Sequence, residues 1–266
     1  MDENIHTMST PADLTRCLAV AVTAVTQVVS SPLTSLALGP SSDQGTISDA
    51  NLSPVTPAGY AFAIWGLIYA ASLALAVYQL LPGQRARRVH RRTGWWLAAA
   101  FTCSTLWVPV FGTRTIWLSQ VTIGLLVASL AVATIRLTHS GPATNTPERL
   151  LLRLPVTFYL GWATLATFAG FGVTLRSFGM PERSGWVTVL SAGLVVVAAV
   201  VATAVVVRET AVAGFALTAC WALVAIAVAT YESPVRVLAL LAVAAVLAGL
   251  ALHTTRSGRR DVVLFG

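Results

Sequence analysis

Charge is what this chain has least of. Only 10% of its 266 residues are Asp, Glu, Lys or Arg, against about 25% in a soluble domain. So few charges cannot make a water-facing surface, and 56% of the residues are hydrophobic, so lipid must cover most of the molecule. No stretch is polar and long enough for a separate soluble domain. Lysine is missing altogether: all 17 basic residues are Arg, a bias expected of GC-rich coding. Cysteine is scarce. Cys17, Cys103 and Cys220 sit far apart in apolar segments with no CxxC, which predicts three small buried side chains and neither a disulfide nor a metal site. His6, His90, His139 and His253 read as loop or tail residues without metal-ligand spacing. No carboxylate lies deep in an apolar segment. One at mid-bilayer would cost about 2.5–3.5 kcal/mol and would mark an ion or proton path, so its absence argues against a proton-driven transporter with a buried acidic relay. G-x-S-x-G, HExxH and a phosphate-cradling glycine loop are absent too. No catalytic residue, no metal and no required cofactor is expected, and the chain does not read as an enzyme.

What is present is a series of eight apolar segments, at about 14–38, 57–81, 94–111, 116–137, 150–173, 186–207, 210–231 and 234–252. Each can span a hydrocarbon core of about 30 Å as a helix. Val-rich stretches such as 195–207 would favour strands in water. In lipid an open strand leaves its backbone unpaired, and the alternation of a barrel strand is missing. Ser30-Ser31-Pro32 predicts a kink or an early end in the first segment. Residues 1–13 lack the basic start of a secretory signal, so the first segment reads as a retained helix.

Arginines cluster in alternate loops. Arg85, Arg87, Arg88, Arg91 and Arg92 follow the second segment; Arg136, Arg149 and Arg153 follow the fourth. Arg208 follows the sixth, and Arg256, Arg259 and Arg260 form a short basic tail. The other loops hold only Arg114, Arg176, Arg183 and Arg236, with Asp43, Asp49, Glu182 and Glu232. The positive-inside rule puts both termini in the cytoplasm, and the expected location is a bacterial cell membrane. The formal charge of +7 therefore reports topology. The basic loop anchors at lipid headgroups or binds an anionic lipid or partner; it is short and lacks aromatic interleaving, so nucleic acid is not expected.

Most aromatics and prolines fall in residues 1–175, whereas 176–266 is rich in Ala, Val and Leu. Phe62, Trp65 and Tyr69 are three and four apart, as one helical face requires. Trp107 and Phe111 are four apart, and Tyr159, Trp162 and Ala166 continue the spacing from Pro155. Gly59, Ala63, Gly66, Ser104, Gly161 and Gly170 flank these rings, and small residues permit close helix approach or leave a cavity. Such rings can form an interfacial belt, pack between helices or line a pocket.

Three of these segments resemble, in order, the signatures of the TspO/MBR family, the tryptophan-rich sensory proteins related to the translocator protein. Pro57, Tyr60 and Trp65-x-x-x-Tyr69 look like its second helix, and Trp107 with Phe111 is similar to its third. Tyr159, Trp162 and Ala166 resemble its fifth. Ser104 and Gly170 stand where the family usually has Asn. The resemblance covers residues 12–175 and implies an all-α membrane fold: a five-helix domain over 1–175 plus a three-helix extension over 176–266. It further implies that the chain binds or senses a hydrophobic small molecule, a porphyrin-like tetrapyrrole or a sterol, in an aromatic pocket between helices. Tyr60, Phe62, Trp65, Tyr69, Trp107, Tyr159, Trp162 and Ala166 would line that pocket, and loop 39–56 would cap it. A transporter or export channel for a small neutral or amphipathic solute is the alternative. The expected partners are the lipid bilayer and the small molecule, and the last three helices are left to bind, regulate or form a homodimer.

Overall fold

The computed structural model describes residues 8–266, and helices are its only regular elements among them. His6 and most of the polar N-terminal stretch lie outside the described residues. The first long helix, α1, runs Pro11–Leu38. It starts at a capping box: the Thr10 hydroxyl accepts from the Asp13 amide at 3.3 Å, and the Asp13 carboxylate accepts from the Thr10 amide at 3.0 Å. Pro32 neither ends nor shortens it. Leaving the helix in lipid would expose backbone groups with no partner. The Ser30 hydroxyl, just before the proline, donates to the Thr105 carbonyl of a neighbouring helix at 2.8 Å and holds the turn. The chain leaves at Gly39, whose φ of +90° suits glycine.

A loop with its own short helix, Gln44–Ala50, leads to a 3-10 turn, Gly59–Ala63, and then to α2, Ile64–Leu80. Next come α3, Arg88–Gly112, and α4, Ile116–Thr138. A single helical turn, Thr146–Glu148, and a π-turn, Arg149–Arg153, precede α5, Leu154–Ser177. The last three long helices are α6, Gly185–Arg208; α7, Ala213–Ala229; and α8, Ser233–Ser257, followed by the short helix Arg260–Phe265. Seven helices, α2 counted together with its 3-10 turn as Gly59–Leu80, are long and apolar enough to cross a membrane. The eighth, α7, has 17 residues and spans about 25 Å at 1.5 Å per residue, slightly less than the hydrocarbon core. The chain is thus an all-α integral membrane protein with eight long helices.

α3 packs between α1 and α4, α5 packs on α4 and α7, and α6 packs on α8, which also touches α7. The outward surface carries Val22, Leu67, Val189, Val200, Leu217 and Val228, each about 60% exposed or more. That is an apolar coat suited to lipid and unsuited to water. Between α5 and α7 the backbones come very close. A Cβ added at Gly214 would lie 2.6 Å from the Leu154 carbonyl and the Phe158 amide, and one at Gly161 would strike Thr218 and the Phe215 backbone. Only glycine fits this contact.

The arginine-rich loops gather at one end. Asp13 binds Arg16 and Arg91, each at 2.6 Å. Glu148 binds Arg153 at 2.8 Å and Arg87 at 2.5 Å. The C-terminal short helix joins them, since Ala143 and Ala211 donate to the Gly266 and Val262 carbonyls. Three sequence expectations need correction here. The arginine run is mostly helical, because Arg85 ends a short helix, Pro82–Arg85, and α3 starts six residues before the expected 94; the Asp13 and Glu148 carboxylates offset cations that are unfavourable at a helix N-terminus. His90 is therefore a helical, fully buried residue, edge-on to Tyr78 at 5.5 Å, and His253 lies in α8. Of the cysteines only Cys17 is fully buried; Cys103 and Cys220 are partly buried against the core, and all three are free.

Candidate functional site

The rings from three helices converge away from the arginine end. Trp65, in the first turn of α2, is the hub. It stacks on Trp107 of α3 at 5.3 Å between ring centroids, with a 28° tilt. It meets Trp162 and Tyr159 of α5 edge-on at 6.1 and 5.9 Å. Tyr69, one turn along α2, lies 5.7 Å away. Trp107 stacks on Phe111 at 5.2 Å, and Phe62 meets Trp162 edge-on at 6.3 Å. Each such pair contributes about 0.5–1.5 kcal/mol beyond its burial, so the cluster is a rigid wall.

Beside this wall lies a cavity of about 40 Å³. Phe62, Trp65, Trp107, Phe111 and Trp162 form its aromatic side. Leu165, Ala166, Ala169, Gly170 and Val173 of α5 form a wall of mostly small residues, and Ala222 and Ile226 of α7 close the third side. Ser48, from the loop helix, and Pro57 cover the end. Five of the eight residues singled out from the sequence thus touch one space: Phe62, Trp65, Trp107, Trp162 and Ala166. Tyr69 and Tyr159 join the ring cluster but not the cavity lining. Tyr60 is elsewhere: it is half-exposed and packs edge-on against Trp221 of α7 at 5.4 Å.

The site's polar chemistry is sparse. The indole N–H groups of Trp65 and Trp162 are buried and find no hydrogen-bond partner. Among the lining residues only Ser48 adds a side-chain hydroxyl. Behind the rings, the Tyr159 hydroxyl donates to the carbonyl oxygen of Gln27, a fully buried residue of α1, at 3.4 Å. A lone Gln in an apolar helix is the signal that could have flagged it. Gln120 of α4 is a second residue that spacing did not single out. A Cβ at Gly170 would lie 2.5 Å from its side-chain oxygen, and its amide donates to the Thr167 carbonyl at 2.8 Å. A carboxamide from α4 thus fills the space beside Gly170, where the resemblance leads one to expect Asn.

The cap has its own support. Asp43 caps the loop helix, accepting from the Thr46 amide at 3.0 Å and from the Thr46 hydroxyl. Burial alone would raise the Asp43 pKa, but these hydrogen bonds outweigh it and hold the carboxyl below its ordinary value. Ile47 and Val55 bury the underside of the loop.

The family model described as TSPO-like protein matches residues 16–253. The chain belongs to this family. No curated protein and no solved structure matches it. The match runs beyond residue 175 and through α6, α7 and most of α8, so the TSPO-like pattern takes in the last three helices as well as the first five. The geometry agrees with that extent, because α7 packs on α5 and contributes to the cavity.

Proposed function

We propose that this TSPO-like membrane protein binds a flat hydrophobic small molecule, of the tetrapyrrole or sterol class, in the cavity beside Trp65. The convergence of Trp65, Trp107 and Trp162 on one space carries the reading. Aromatic walls with few polar groups suit such ligands. The two unpartnered indole N–H groups favour a molecule with hydrogen-bond acceptors, since each buried donor left unpaired costs about 1–3 kcal/mol. Pockets for drug-sized molecules measure about 300–1,000 Å³, so a cavity of about 40 Å³ is a contracted form, and binding then requires part of its lining to move apart. We also place the arginine end, with both termini, on the cytoplasmic face of a bacterial cell membrane, following the positive-inside rule.

Binding is preferred over transport because buried ion pairs of Asp13 and Glu148 tie the arginine end together. Titration of the purified protein with protoporphyrin, followed by Trp fluorescence, tests the reading. Saturable quenching is expected, with affinity at least tenfold weaker in Trp65→Ala and Trp162→Ala. Absent quenching, or identical titrations for the three proteins, would refute it.

A further inference from the structure

The cavity is not the only space beside the start of α2. On the outer side of the same segment lies a groove of about 370 Å³ between α2, α5 and α7. Leu67 and Leu217 on its rim are 64% and 62% exposed, so it opens on the lipid-facing surface. Residues adjacent in sequence face the two spaces on both sides of the seam. Phe62 lines the cavity while its neighbour Ala63 lines the groove. Ala222 lines the cavity while its neighbour Trp221 lines the groove.

One side of this seam is fixed and the other is light. α7 is locked to α5 by the Gly161 and Gly214 contacts and by the Thr218 hydroxyl, which donates to the Phe158 carbonyl at 2.9 Å. The segment before α2 is a 3-10 turn without the full ladder of an α-helix. Two hydrogen bonds tie it to α7: the Trp221 indole N–H donates to the Ala61 carbonyl at 3.2 Å, and the Ala58 amide donates to the Ala225 carbonyl at 3.1 Å. Tyr60, edge-on to Trp221, adds a ring contact at 5.4 Å.

We propose that hydrophobic ligands reach the cavity sideways from the bilayer, through the seam between the 3-10 turn and α7, with Trp221 as its latch. The groove gathers the apolar molecule from lipid, and outward movement of residues 58–63 joins groove and cavity. This rests on the reading of the cavity as a ligand site. It explains how a solute that partitions into lipid passes a site whose end is covered by the Ser48 loop.

The test uses the full chain in lipid nanodiscs, with Cys17, Cys103 and Cys220 replaced and Ala166→Cys placed in the cavity wall. Labelling by a lipophilic maleimide is compared with labelling by a charged, water-soluble one. Trp221→Ala is expected to speed the lipophilic reagent at least tenfold and to leave the charged reagent unchanged. Trp221→Phe keeps the ring but loses the hydrogen bond, and an intermediate rise is expected. Unchanged lipophilic labelling in both variants, or a rise for the charged reagent alone, overturns the portal. In the same cysteine-free background, Ala58→Cys with Ala225→Cys forms a disulfide across the seam. Stopped-flow quenching should show protoporphyrin uptake at least tenfold slower when oxidised and restored by reductant; an unchanged rate also overturns the proposal. Should the parent protein take up no porphyrin, the ligand-site reading fails, while the maleimide rates still decide the portal.

Discussion

Glu148 offers a sharp test of how the arginine end is held. Its carboxylate accepts from Arg153 Nε and Nη2 at 2.9 and 2.8 Å on one oxygen. The other oxygen accepts from Arg87 Nη2 at 2.5 Å and from the Thr144 hydroxyl at 3.1 Å. The Arg153 and Glu148 side chains are 1% and 2% exposed, whereas that of Arg87 is 22% exposed. Glu148→Met therefore strands a buried guanidinium at Arg153, while Arg87 can turn toward water or headgroups. Breaking a buried pair costs about 3–5 kcal/mol, and the freedom of Arg87 puts the expected loss near the lower figure. Replacing both partners removes the stranded charge, so Glu148→Met with Arg153→Met should cost less than Glu148→Met alone. Equilibrium unfolding in mixed micelles, run as a double-mutant cycle, measures both quantities. An internal control exists: Asp261 lies 4.0 Å from Arg149 and is 79% exposed, so Asp261→Asn should change stability by about 0.5 kcal/mol or less. A Glu148→Met cost below about 1 kcal/mol, or a double variant equal to the sum of the singles, would refute the reasoning.

Asp43→Ala should loosen the loop helix by about 1 kcal/mol, seen as faster hydrogen exchange over residues 44–50 with the transmembrane helices unchanged. Because the Asp43 pKa is lowered on folding, its stabilisation is present above its ordinary pKa of 3.8 and is lost as pH falls through the lower folded value; the wild-type loop should loosen there and the variant should not respond. Gly214→Val drives a side chain into the α5 backbone and should cost about 1–3 kcal/mol or more in unfolding measurements. Gly193→Val, where a Cβ meets nothing within 4 Å, should stay within about 0.5 kcal/mol.

The aromatic set was legible because a helix repeats every 3.6 residues. Spacing alone put Trp65 with Tyr69 and Tyr159 with Trp162, and the chain order of the three segments matched a family pattern. Tyr60 did not follow, because the helix period stops at the 3-10 turn and its ring swings to Trp221. The α7 wall was illegible for a different reason: Ala222 and Ile226 carry no chemistry that distinguishes them from lipid-facing neighbours. His90 was misplaced because arginines usually mark a loop, and here two distant carboxylates make a helix start tolerable for them.

By itself the sequence determined that the chain lives in lipid, that it crosses as helices, and which rings could share a face. Those follow from composition and local periodicity, which any stretch of chain reports on its own. The tertiary structure alone decided that Trp65 is the hub, that Gln120 fills the space beside Gly170, and that Asp13 reaches Arg91 and Glu148 reaches Arg87. It also decided that the cavity is small and that residues adjacent in sequence line both it and a lipid-facing groove. Such facts depend on how helices distant in sequence rotate and approach, and glycine contacts such as Gly161 and Gly214 set that approach only once both partners are in place.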